Sequence, residues 1–223
     1  MQELIGKFYE DDKRPDSPYL PIGGLFIGPV FFADAELRRL VPTWVDPYHK
    51  KQPLLSMRKL DEDAFKNNQP IKELNLRDDE EILALRAKKR PVIISSSPLD
   101  PWHHISGEKQ DESYFCLPLF SLEGYDDEFI LNLKALRFNS LFYLPGDPKF
   151  GIKESFIRFD RSQVLHRQCI ERFRPKVCLT EDAMLVIQGW FQFYFTGRAE
   201  DWLLDLQKTE LEKLKSLSKE KES

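Results

Sequence analysis

Five short apolar runs, four of them bracketed or interrupted by glycine or proline, constrain this chain more than any other feature. Residues 24–32 follow Gly23 and contain Pro29; 90–96 open on Arg90-Pro91; 113–120 contain Pro118; 141–145 stop at Gly146-Asp147-Pro148; and 154–160 alternate polar with apolar. Runs of this length suit strands, and Gly and Pro punctuate their ends. A strand carrying Pro29 belongs at a sheet edge or a bulge, because proline cannot donate to the ladder. The β-branched run after Arg90 predicts a buried strand. The 154–160 alternation predicts a strand with one wet face, continued by Val164-Leu165-His166. A strand pair or partial strand is expected within 129–138. Many short strands with few helices between them predict a small β-barrel core.

Helices are expected around that core. Residues 78–89 carry acids in the first turn and bases in the last, which matches the helix dipole. Thr180 is a good N-cap, followed by Glu181 and Asp182, for a helix running to about Phe195 and stopping near Gly197. A last charged helix spans roughly 199–219. Residues 1–20 form an irregular arm, in which Leu4, Ile5, Phe8 and Tyr9 suit a short anchoring helix. The predicted class is mainly β with helices (α+β). The 223 residues form a single domain: an arm at 1–20, the core at 21–32 and 90–196, a polar, helix-prone insertion at 33–89, and a charged helix and tail at 197–223.

Charge excludes a globally basic nucleic-acid coat. Lysine plus arginine is 33 against 37 for aspartate plus glutamate, a net charge of −4, so any phosphate contact must come from a local patch. Cys116, Cys169 and Cys178 form no CxxC pair, and the thinly spread histidines fit no zinc spacing; no metal or cofactor is expected. No apolar run approaches the ~20 residues of a membrane span. The acidic, polar N-terminus does not read as a signal peptide, so the expected compartment is cytoplasmic, with no membrane partner.

The order of elements resembles a known family. A Gly-led strand at 24–32 is followed by Arg90-Pro91-Val92-Ile93-Ile94-Ser95. Then come Phe115-Cys116-Leu117-Pro118-Leu119-Phe120-Ser121, Glu154-Ser155-Phe156-Ile157-Arg158-Phe159-Asp160-Arg161-Ser162-Gln163, and a helix after Leu179-Thr180. Together they are similar to the MazF/PemK toxin family, within the superfamily that also holds CcdB-like proteins, over roughly 21–32, 90–99 and 112–196. The resemblance implies an SH3-like barrel, a homodimer, a separate antitoxin chain as partner, and metal-independent cleavage of single-stranded RNA. Two features depart from the family: the 33–89 segment stands where a short acidic, Gly-rich loop is usual, and Ser121 is one place from the family's Thr or Ser.

Cleaving RNA through its own 2′-hydroxyl needs a base, donors for the growing phosphate charge and an acid for the leaving oxygen. By position in the resemblance, Arg90 is the phosphate-charge stabiliser and Ser121 the hydroxyl beside it. His103, next to Trp102, is an RNA-contacting candidate. Arg158, Arg161 and Arg167 belong to a stretch, 151–178, with seven basic and three acidic residues and with Phe156, Phe159 and Phe173 interleaved, a pattern that suits a phosphate backbone with stacking help. The expected function is a MazF/PemK-like endoribonuclease, and the alternative is a non-catalytic interaction module that kept the barrel and lost the site.

The cluster Trp190, Phe191, Phe193, Tyr194, Phe195 and Trp202 exceeds what one helix face needs, which together with the resemblance predicts a homodimer. Sedimentation at micromolar concentration tests this; a clean monomer of 26.3 kDa rules it out.

Overall fold

The five apolar runs fold as strands. The computed structural model describes residues 5–14, 19–32, 37–43, 54–61, 64, 80, 82–99, 112–173 and 176–221. Its strands are β1 Tyr9–Asp11, β2 Leu25–Phe31, β3 Arg38–Thr43, β4 Leu54–Lys59, β5 Leu83–Ala84, β6 Ala87–Ile94, β7 Ser113–Ser121, β8 Leu141–Leu144, β9 Ser155–Arg158, β10 Gln163–His166, β11 Glu171–Arg172 and β12 Val177–Leu179. Three α-helices accompany them among the described residues: α1 Asp127–Lys134, α2 Glu181–Thr196 and α3 Asp201–Lys221. The class is mixed α+β with mostly antiparallel sheets. Among the described residues no ladder closes a sheet into a barrel, and no helix is long and apolar enough to cross a membrane.

The chain divides into two units, Met1–Val30 with Lys89–Ser223, and Phe31–Lys88. In the smaller one, β3 pairs with β4 along its length and with β5 at Arg38 and Arg39. Arg39 is buried there and its Nη2 meets Asp61 Oδ1 at 2.8 Å. This corrects the expectation of a polar helical insertion, and of a helix over 78–89: the described residues from Ile82 onward are strand or extended. A dipole-matched charge pattern contributes only tenths of a kcal/mol to about 1 kcal/mol, and sheet pairing outweighs it.

The larger unit is organised by β7. One of its edges pairs with β6, Val92 opposite Pro118 and Ile94 opposite Cys116. The other edge takes β10 at Ser113–Cys116 and β9 at Leu119–Ser121. Between β9 and β10 the chain leaves the ladder in a 3₁₀ turn, Phe159–Arg161, with Phe159 buried. The full order is β11-β2-β6-β7-β9-β8, with β10 on β7. Val92, Ile93, Ile94, Tyr114, Cys116 and Leu117 are wholly buried. Ser155, Phe156 and Ile157 are all buried too, so β9 has no wet face: elements cover both of its sides. Strand β2 lies between β6 and the two-residue β11, which reaches only Ile27 and Phe26. Pro29 therefore falls beyond β11.

Two further expectations are corrected. Residues 129–138 hold most of α1, not strands. Asp126 is its N-cap, accepting from Phe129 N at 2.7 Å, and Asp127 and Glu128 occupy the first turn; the acidic run is a cap. The arm, expected to be irregular, anchors through a strand. Ile5, Phe8 and Tyr9 are buried, β1 pairs with β12, and the Tyr9 hydroxyl donates to Pro145 O at 2.9 Å.

Helix α2 begins and ends where its caps dictate. Thr180 Oγ1 accepts from Ala183 N at 3.3 Å, and Gly197 sits in the left-handed region at φ 67. Its aromatics divide by face. Trp190 is wholly buried with Nε1 donating to Phe138 O at 3.3 Å, Phe191 packs on Phe115 and Phe159, and Phe195 is 63% exposed. Helix α3 approaches at Gly189, where a Cβ would stand 3.3 Å from the Trp202 ring.

The Thr180 hydroxyl also donates to Lys7 O at 2.7 Å, which ties the helix cap to the arm. Thr180→Ala removes both bonds and is expected to lower unfolding free energy by about 1–2 kcal/mol. Thr180→Ser keeps both and should stay within a few tenths of a kcal/mol of the parent. Urea denaturation checks the pair.

Candidate functional site

Extending the β6–β7 register from Val92 opposite Pro118 sets Arg90 opposite Phe120, because facing residues step in pairs. The guanidinium of Arg90 lies over the Phe120 ring, 4.4 Å from its centroid, and that of Arg158 approaches the same ring at 5.7 Å. Strand pairing therefore brings Arg90 and Arg158 to one face. Burial lowers the Arg90 pKa and the neighbouring Tyr125 raises it.

Ser121 is not on that face. It follows Phe120 in an extended strand, so its side chain takes the opposite side of the sheet. Its Oγ accepts from Glu123 N at 3.1 Å and it pairs with Ser155 across the ladder, the local bond that serines after strands make. The two residues expected to share a phosphate are thus separated by the sheet itself.

The basic stretch also divides. Arg158 grips Asp160 with two hydrogen bonds, 3.1 Å and 2.6 Å, and Arg161 Nε meets the same carboxylate at 3.6 Å. The 3₁₀ turn between β9 and β10 holds Asp160 where it draws both arginines. Arg167 lies elsewhere, following β10, with its backbone N donating to Glu112 O and its Nη1 to Ile170 O at 3.2 Å. His103 falls outside the described residues, as do Trp102 and Arg174. Among the described residues no three His, Cys, Asp or Glu side chains converge as metal ligands.

Arg167 lines a cavity of about 230 Å³ together with Arg14, Arg172 and Lys176, and Asp12 is the acid among its described lining residues. Tyr19, Phe26 and Phe173 supply aromatic walls, and Leu20, Leu25 and Val177 apolar surface. Local structure explains each contribution. Antiparallel pairing sets Arg172 opposite Phe26, so both project to the same side. The β1–β12 pairing delivers the arm, and Asp12 N donates to Lys176 O at 3.3 Å. Arg14 Nε meets Asp12 Oδ1 at 2.7 Å, so that carboxylate is paired. The second half of the arm is held by Leu20 N, which donates to the buried Tyr114 hydroxyl at 3.1 Å; that hydroxyl donates to Glu112 at 2.9 Å. Burial raises the Tyr114 pKa, opposed by the Leu20 bond and reinforced by Glu112, so it remains a neutral anchor at pH 7. Arg167, Arg172, Phe173 and Lys176 belong to the basic 151–178 stretch legible in the sequence, whereas Arg14 and Tyr19 lie outside it. The local signal for those two, a basic and an aromatic residue flanking Pro15 and Pro18, is ordinary loop composition.

Arg90 is half-buried against an aromatic ring, so Arg90→Ala is expected to cost about 1 kcal/mol of stability. Arg90→Lys should recover part of it, because an ammonium lacks the planar stacking surface. Thermal or urea unfolding decides; an unchanged midpoint for Arg90→Ala would show that the ring contact contributes nothing.

No family model, no curated protein and no solved structure matches the chain.

Proposed function

We propose that this chain is a non-catalytic interaction module on a MazF/PemK-like scaffold, and that it holds single-stranded RNA at the cavity walled by Arg14, Arg167, Arg172 and Lys176. The observation that carries the reading is the composition of that cavity: among its described lining residues Arg14, Arg167, Arg172 and Lys176 stand with Asp12, and Tyr19 and Phe173 lie alongside. Cations draw phosphates and release their counterions. Aromatic faces stack unpaired bases of any sequence, worth about 1–3 kcal/mol per base. An unpaired strand offers both groups to a concave site, whereas a duplex keeps its bases stacked inside.

The choice of binding over cleavage follows from the opposite faces of Arg90 and Ser121. Transfer through the 2′-hydroxyl requires the charge-stabilising donor and the proton-handling groups to converge on one phosphate. Arg90 is committed to Phe120, and Ser121 to its own turn. The scaffold is taken to be the family's SH3-like barrel in an open form. The reading includes a homodimer, for which Phe195 and Trp202 offer exposed aromatic surface, a separate antitoxin-like chain as a second partner, and a cytoplasmic setting.

Fluorescence anisotropy with labelled single-stranded RNA tests the proposal. The double variant R167A/R172A is expected to weaken binding uniformly across sequences. It should also flatten the slope of log Kd against log salt by roughly 0.7 for each phosphate that is no longer neutralised. No binding by the parent at low salt would overturn the reading. The same RNA incubated with chelator should stay intact. Cleavage that disappears in Arg90→Ala would establish the endoribonuclease instead.

A further inference from the structure

We infer that the trough between helices α2 and α3 is a docking site for a short basic amphipathic helix of a partner chain. The inference does not rest on the RNA reading, and no described residue lines both cavities. Three observations carry it.

The first is shape, which follows from helical periodicity. Asp182, Leu185 and Val186 stand at i, i+3 and i+4 of α2, and Gly189 at i+7. Trp202, Asp205, Leu206 and Thr209 repeat the same spacing on α3. At Gly189 the helices close on each other, because a Cβ there would stand 3.3 Å from the Trp202 ring. Away from that contact the two stripes wall a cavity of about 460 Å³. Each stripe covers about two turns, roughly 10 Å. Two helix faces side by side present the ridges and grooves into which a third helix packs.

The second is what the walls leave open. Val186, Leu206 and the arm's Ile5 form a buried apolar floor, whereas Leu185 is 60% and Trp202 39% exposed at the rims. Trp202 Nε1 donates to Glu200, which fixes the indole. A small-molecule pocket encloses most of its ligand. A trough whose apolar rims face water instead takes anchors spaced one turn apart along a helix, and a fixed Trp is a strong contact for such anchors.

The third is charge. Among the described lining residues the charged ones are Asp182 and Asp205, one on each wall. Exposed Glu181 and Asp201 immediately precede the two stripes. Residues 1–4, which lead to Ile5, contain Glu3 and neither lysine nor arginine. Lys208 meets Asp205 at 3.2 Å with both side chains 72% exposed, and such a pair contributes little and exchanges readily for a partner's cation. Acids along both walls of an apolar floor select an occupant whose apolar stripe is flanked by Lys or Arg, and they repel an acidic one.

The test uses the full chain and three labelled peptides of about 18 residues, long enough to form a helix, with anisotropy as the readout. One carries leucines at i, i+3, i+4 and i+7 with lysines on the flanks. The second has the same composition with the leucines scrambled, and the third replaces the lysines with glutamates. The first is expected to bind on the order of tenfold more tightly than either of the others, and more weakly as salt rises. Leu185→Lys should weaken it by roughly tenfold. Asp182→Asn combined with Asp205→Asn should weaken it several-fold and flatten its salt dependence. All three positions are exposed, so the variants should fold, which circular dichroism verifies. No binding, equal binding of the three peptides, or binding of the first that either variant leaves unchanged overturns the inference. Tighter binding to Leu4→Ser would assign the trough to the chain's own first residues. A dimer that Leu185→Lys converts to a monomer in sedimentation would assign it to a second copy. Either of these results also overturns the inference.

Discussion

Arg90, Ser121, Arg158 and the arm's Leu20 take their positions from strand β7. It is hydrogen-bonded along both edges, and its side chains from Cys116 to Phe120 are buried whichever face they take. A strand satisfied on both edges and covered on both faces cannot slip by one residue without turning its whole apolar set around. That register dictates which neighbours share a face. Arg90 and Arg158 meet at Phe120, while Ser121 is turned to the other side. The same strand carries Tyr114, whose hydroxyl holds Leu20 and with it the arm beside the cavity.

Electrostatics then decides where positive charge gathers. The chain is acidic overall, and much of its basic charge is met locally: Arg158 and Arg161 by Asp160, Lys89 by Glu171, Lys149 by Asp11, Lys153 by Glu123. These pairs are mostly exposed and worth about 0–1 kcal/mol each, so they contribute little to stability. Elsewhere β11, the residue before β12 and the arm bring Arg14, Arg167, Arg172 and Lys176 to the lining of one cavity, and the proposed binding reading rests on that convergence.

Much of the architecture was legible locally, because the relevant signals act over a few residues. The five apolar runs became strands, Thr180 and Gly197 bounded α2, and the last charged segment became α3. Local signals misled where tertiary pairing competed with them. The charge pattern of 78–89 describes a helix, yet Leu83 and Ala84 pair with Arg39 and Arg38. The acidic run before Phe129 was an N-cap whose helix hid behind a short apolar segment. Phe8 and Tyr9 were legible as anchors, but the pairing of Tyr9 and Glu10 with Leu179 and Cys178 joins residues far apart in sequence.

The sequence by itself determined the five apolar strands of the larger unit, the caps of α2, the acidic balance and the local excess of arginine after Gly151, because each depends on residue type and near neighbours. Only the tertiary structure decided which of those arginines act together. Face parity in β7 separated Arg90 from Ser121, the 3₁₀ turn set Asp160 against Arg158 and Arg161, and the β1–β12 clasp carried Arg14 across to Arg167, Arg172 and Lys176. Long-range strand register sets which side chains meet, and register is a property of two segments paired in space that neither segment carries alone.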